Sequence, residues 1–151
     1  MVNQNPQPEV FTTRHSFAGD GATTTQGTSN QQQIYTNQAW NEEIRVYGIM
    51  VDMVYYEATT DWAGCENLTE FAQLFDVSIQ AGPNNVPMNV FDAAEIMRAE
   101  DKILHFSAPV LVLHRQPLQV TVTWRGAAPL ADNNDTTVIV SLIGETYIQE
   151  S

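Results

Sequence analysis

Residues 118–124 read Leu118-Gln119-Val120-Thr121-Val122-Thr123-Trp124. Large apolar side chains at 118, 120, 122 and 124 alternate with polar ones at 119, 121 and 123. This is the period of two by which successive side chains of a strand point to opposite faces, so the segment predicts a half-buried strand. Residues Leu74 to Gln80 alternate in the same way, with Phe75, Val77 and Ile79 inward and Asp76, Ser78 and Gln80 outward. On the other side, Gly126 to Asp135 reads as a polar loop. Thr136 to Ile143 is β-branched and almost wholly apolar, and Tyr147 and Ile148 follow. Ile103 to Leu113 is apolar but interrupted by Pro109, which has no N–H to give a ladder. It therefore predicts two short strands or an edge, before Arg115-Gln116-Pro117 turns the chain.

Upstream, Glu43 to Glu57 predicts a long strand. Positions 47, 49, 51, 53 and 55 form one apolar or aromatic face, and Ile44, Val46, Met50 and Val54 make the other face apolar as well. A strand apolar on both faces is expected to be covered on both, by its own domain or by a partner subunit. Asp61 to Glu70 reads as a loop carrying Trp62, Gly64 and Cys65, and Gly82-Pro83-Asn84-Asn85 as a turn. Val86 to Phe91 fits a short strand. Asp92 to Lys102 is the one good helical stretch, with Asp92 as cap and Glu95 three residues later in capping-box spacing. About seven strands with frequent turns and no βαβ alternation predict an all-β, antiparallel sandwich or barrel.

Composition breaks near residue 40. Residues 1–38 are rich in Gln, Asn, Thr, Ser and Gly, and only Glu9, Arg14 and Asp20 are charged. Such a segment buries too little apolar surface to offset its ordering entropy, so alone in water it is expected to be disordered. It would be ordered only where something holds it, and a packed assembly is a simpler holder than its own domain. The expected division is an extended polar N-terminal arm over 1–40 and a β-domain over 41–151. The isolated aromatic residues Phe11, Phe17, Tyr35 and Trp40 are the candidate anchors at subunit contacts.

The chain carries 18 acidic and 6 basic residues, a net charge of −12. No Lys/Arg cluster exists, which argues against nucleic acid and anionic membrane as partners, since both need local positive charge. No stretch approaches the roughly 18 apolar residues of a membrane span. Met1-Val2-Asn3-Gln4 shows neither the charged nor the apolar region of a signal peptide. Cys65 is the single cysteine and reads as a small apolar residue. His15, His105 and His114 have no carboxylate at ligand spacing, and neither a Gly-x-Ser-x-Gly elbow nor a phosphate loop is present. Asp132-Asn133-Asn134-Asp135 comes nearest to a calcium loop but lacks the central glycine and reads as turn chemistry. No catalytic residue, cofactor or metal is expected.

The order of segments carries a resemblance. A polar arm is followed by the hydrophobic strand Ile44 to Tyr56, then Phe75-Asp76-Val77-Ser78-Ile79-Gln80 and a short helix. Phe106-Ser107-Ala108-Pro109-Val110-Leu111-Val112-Leu113, the strand 118–124 and Thr137 to Ile143 before Gly144 complete it. Over about residues 40–148 this resembles the small single jelly-roll proteins of virus and bacteriophage capsids, including the cement or decoration proteins of tailed-phage heads. The resemblance implies a jelly-roll-like antiparallel β-sandwich with one short helix and a structural, non-enzymatic role. It places the protein on the capsid surface of a virion, partnered by the major capsid protein, as a homotrimer whose arm reaches neighbouring subunits. Two other readings stand beside it: a single jelly-roll protein that forms the shell itself, and a carbohydrate-binding β-sandwich module using Trp40 and Trp62.

Overall fold

A computed structural model describes residues 7–34, 42–55, 68–81, 84–85, 91–112, 116–130 and 135–148. In chain order the strands are β1 (Gln7–Phe17), β2 (Ser29–Ile34), β3 (Glu42–Tyr55), β4 (Phe75–Ala81), β5 (Asn84–Asn85), β6 (Phe91–Asp92), β7 (Leu104–Val112), β8 (Leu118–Trp124) and β9 (Thr136–Ile148). Two short helices, α1 (Leu68–Ala72) and α2 (Ala93–Met97), and a 3₁₀ turn at Glu100–Lys102 complete the described elements. All pairings are antiparallel and form two sheets, one ordered β1-β9-β3-β7 and the other β2-β8-β4-β5, with β6 also paired to β4.

The alternating segment behaves as its pattern requires. On β8, Leu118, Val120 and Val122 are fully buried and Trp124 is 1% exposed, while β4 buries Phe75, Val77 and Ile79. Across the core, β9 contributes Val138, Val140 and Leu142. At its centre is an aromatic cluster in which Phe75 lies 5.4 Å from Phe17, 5.4 Å from Phe71 and 5.0 Å from Trp124, ring centroid to centroid.

The division at residue 40 is corrected. The described part of the expected arm is woven into both sheets: β1 pairs with β9 from Gln7↔Thr146 to Phe17↔Thr136, and β2 pairs with β8 from Ser29↔Thr123 to Ile34↔Leu118. The loop between them is pinned too, by Gly27 N–H donating to Trp124 O and Gly21 N–H to Leu130 O. An edge strand needs only one buried face, and β1 supplies it with Thr13, His15 and Phe17. Two of these three are polar, which is why composition hid the strand. Their polarity is satisfied locally: His15 Nδ1 lies 2.9 Å from Asn30 O, and Thr13 Oγ1 lies 2.8 Å from His15 Nε2. The imidazole thus donates to β2 through Nδ1 and accepts the Thr13 hydroxyl at Nε2, tying one sheet to the other.

The doubly apolar face of β3 also has a different cause from the one expected. The register passes from Val46↔Gly144 to Gly48↔Ile143, so Tyr47 is an extra residue opposite β9. A one-residue bulge reverses which parity points inward. Ile44 and Val46 are buried before it, and Ile49, Val51 and Met53 after it. One apolar face therefore looks like two. Within one chain the outward side is left open, with Met50 37% and Val54 56% exposed.

The helical segment is shorter than expected. Asp92 caps α2 by accepting from Ala94 N–H at 3.0 Å, but the helix closes at Arg98. Asp101 and Lys102 then take φ of 58° and 60°, which an α-helix cannot continue through. Within the expected loop Asp61 to Glu70, the described residues from Leu68 begin α1, which buries Phe71 and Ala72.

Candidate functional site

β7 is an edge of its sheet, and it does not run straight. Its partners on β3 pass from Val46↔Val110 to Gly48↔His105, so five steps on β7 are matched by two on β3. Residues 106–109 are left without partners on β3, at the position where Pro109 could not have donated. The displaced segment and Phe91 of β6 enclose a pocket of about 400 Å³ lined by Phe91, Leu104, His105, Phe106, Ser107, Ala108, Pro109 and Val110. The Phe91 and Phe106 rings stack at 6.0 Å with 19° between their planes and form its aromatic wall. The chemistry on offer is an apolar recess beside unpaired edge backbone, with the imidazole of exposed His105 and the hydroxyl of Ser107 as polar groups. It suits an apolar side chain on an extended segment better than a charged ligand.

A second cluster lies on the outer face where β3 meets β9. Arg45 Nη2 donates to Glu43 Oε2 at 3.3 Å, and its guanidinium sits 4.3 Å from the Tyr147 ring centroid. Tyr147 and Tyr47 hydroxyls both donate to Glu145 Oε2, at 2.5 and 3.2 Å. The Glu145 bond, then the Tyr47 bond, hold the Tyr147 phenol well above its ordinary pKa, so it is a donor and not a base. Buried Arg45 Nε and Thr146 Oγ1 find no hydrogen-bond partner. The bulge at Tyr47 brings both tyrosines to one carboxylate, and Gly144 makes the close approach possible: a Cβ there would stand 2.3 Å from Arg45 O.

The expected site residues separate. Phe17 is 4% exposed against the Phe75 ring, so it anchors the chain's own core and not a neighbour. Phe11 is half-buried and packs on that core from β1. Tyr35 and Trp40 lie outside the described residues, as do Trp62, Cys65, His114 and 132–134. Asp135 accepts from Gly19 N–H at 2.7 Å, a loop tie. His15 falls within the expected arm but is buried; burial, opposed by its bond to Asn30, lowers its pKa and keeps it neutral. Only its i, i+2 spacing from Thr13 and Phe17 hinted at an inward face. Asp20, at the following turn, accepts from the Thr23 hydroxyl and from the backbone N–H groups of Thr23 and Ala22, which bring its pKa down to about 2.

Among the described residues no group of three or more His, Cys, Asp or Glu converges as a metal site would require. Nor is any helix among them long and apolar enough to cross a membrane. Comparison with known protein families finds no model that matches this chain, and comparison with curated proteins finds no match either.

Proposed function

We propose that this protein is a structural component of a virus particle, a decoration or cement protein on the capsid surface, built as a single jelly roll. The observation that carries the reading is the nesting of its strand pairs. β4 pairs with β5, β3 with β7, β2 with β8 and β1 with β9, like one long hairpin closing from its bend outward. The further pairs β3·β9 and β4·β8 are those gained when such a hairpin is rolled into two sheets. This nesting supports a reading as the double Greek key of a jelly roll, an architecture shared by capsid and lectin domains. The step from architecture to role is one of analogy.

Between capsid and lectin, the described surface favours assembly. Trp124, the one tryptophan among the described residues, is buried and offers no sugar-stacking platform. The outer sheet face instead carries exposed aliphatic side chains, and the β7 edge carries the apolar recess. With β1 and β2 inside the sheets, contacts to the major capsid protein fall to faces and edges of the sandwich rather than to a detachable arm. The same observation favours, as a second reading, a subunit that builds the shell itself.

Quantitative mass spectrometry of gradient-purified particles from the source tests this. The chain is expected in the particle band at a copy number no greater than that of a separate, more abundant shell protein. A chain that is itself the most abundant particle protein establishes the second reading. Absence from particles, or glycan-array binding by the full chain, overturns both.

A further inference from the structure

The large apolar side chains that remain exposed among the described residues share one surface. Val10, Met50, Val54 and Leu111 are 63%, 37%, 56% and 46% exposed. By register all four point outward from the β1-β9-β3-β7 sheet, with half-buried Ile139 and Ile143 of β9 among them. Polar pairs stand among them, Thr12 with Ser141 at 3.2 Å and Ser16 with Thr137 at 3.1 Å. The opposite sheet has such outward ladders too, Ser29 with Thr123 at 2.8 Å and Gln31 with Gln119 at 2.7 Å, but among the described residues it exposes no large apolar side chain. A mixed face that alone exposes large aliphatic side chains is a surface that association would cover.

The charges on this face are specific in their placement. Glu43, Arg45 and Glu145 lie at one end and have partners within the chain, Glu43 and Arg45 in an ion pair and Glu145 with the hydroxyls of Tyr47 and Tyr147. Arg14 and Asp52 lie mid-sheet in one row, Arg14↔Ile139↔Asp52, on either side of the central strand. About 10 Å of sheet separates them, with the Ile139 side chain between. Among the described residues neither is in an ion pair.

We propose that this face docks on a second copy of the chain, about a two-fold axis running along β9. Such an axis lays β1 of each copy over β3 of the other, sets Ile139 against Ile139, and faces Arg14 with Asp52 of the second copy, twice. A two-fold axis lying across the strands would instead set Arg14 on Arg14 and Asp52 on Asp52, so charge selects the first. Sheets packed face to face stand about 10 Å apart, within reach of an arginine and an aspartate extended toward each other. The three strands cover about 540 Å² of flat sheet per copy, about 1,100 Å² for the pair, at the threshold of a specific interface. Copies of charge −12 repel at a distance, so a local match of this kind decides which faces meet. The homotrimer implied by the family resemblance would need head-to-tail contacts between two different surfaces and would leave this self-match unused. The proposal does not depend on a capsid role.

Sedimentation velocity on the full chain tests it, with wild type, Arg14→Asp, Asp52→Arg and a one-to-one mixture of the two variants. Wild type is expected at twice the 16.8 kDa of one chain. Each variant alone puts like charges together twice and should dissociate, weakening association by about tenfold or more. In the mixture both contacts become complementary again, and a heterodimer should return. Circular dichroism confirms that the variants, altered only at exposed positions, stay folded; Arg14→Gln and Asp52→Asn serve in their place if either does not. A wild-type monomer or trimer, single variants that dimerise as wild type does, or a mixture that stays monomeric each overturns the proposal.

Discussion

His15 sits fully buried between the two sheets, and burial lowers its pKa from the ordinary value of 6.5. Below that value the unfolded chain takes up a proton that the folded chain refuses. The stability present above pH 6.5 is therefore lost progressively as pH falls toward the folded-state pKa, with a slope of at most about 1.4 kcal/mol per pH unit. Denaturant melts between pH 7.5 and 5.5 should show wild type weakening, and the His15→Gln difference curve should remove this component of the slope. A difference curve flat across the window means the imidazole is not neutral in the fold. Gly144 makes a second claim at this scale. A methyl group there would stand 2.3 Å from Arg45 O and 3.2 Å from Val46 Cα, both backbone atoms that cannot swing aside. Gly144→Ala should cost about 3 kcal/mol, the upper end of overpacking penalties, read as a fall in denaturant midpoint at unchanged m.

At the scale of elements, β1 is an integral edge strand and not an appendage. Removing residues 1–38 would strip β1 from β9 and β2 from β8, and take Phe17 from the aromatic cluster. The truncated chain should fail to fold by circular dichroism, whereas a native-like spectrum with a cooperative melt would restore the detachable arm. Phe17→Ala in the full chain should lose about 3–5 kcal/mol, as buried Phe→Ala changes do. The strands legible in the sequence, β4, β8 and β9, bury one apolar face throughout, so periodicity and packing agree. The strands that misled are those where something other than side-chain apolarity decides. In β1 a hydrogen-bonded Thr13–His15 pair fills inward positions; in β3 the bulge at Tyr47 shifts parity without any residue that announces it. Of the β7 recess only Pro109 was visible in advance, because the Phe91–Phe106 stack joins residues on different strands with no periodic relation. The Arg14–Ile139–Asp52 row was equally hidden, since it exists only once β1 and β3 flank β9.

For the whole molecule the governing quantity is net charge. Eighteen acidic residues against six basic ones leave −12, and the described ion pairs are Arg45–Glu43 and Arg125–Asp76, both partly exposed. Exposed pairs of this kind contribute about 0–1 kcal/mol each, too little to balance self-repulsion that grows as the chain compacts. Screening should therefore stabilise the fold. Raising ionic strength from 0.01 to 0.1 M shortens the Debye length from about 30 Å, comparable to the size of a domain of this length, to about 10 Å, well within it. At pH 7 the melting temperature should rise by a few degrees on addition of sodium chloride, about 2–4 °C for each kcal/mol gained in a chain of this size. Near pH 4.3, where the sequence pI lies, the same salt step should have almost no effect, because there is little net charge left to screen. Arg14→Asp is the form to use, since it keeps association out of the measurement and makes the chain still more acidic. An equal salt response at both pH values would mean that excluded-salt effects on apolar surface dominate over repulsion. A fall in melting temperature with salt at pH 7 would mean that ion pairs outweigh it.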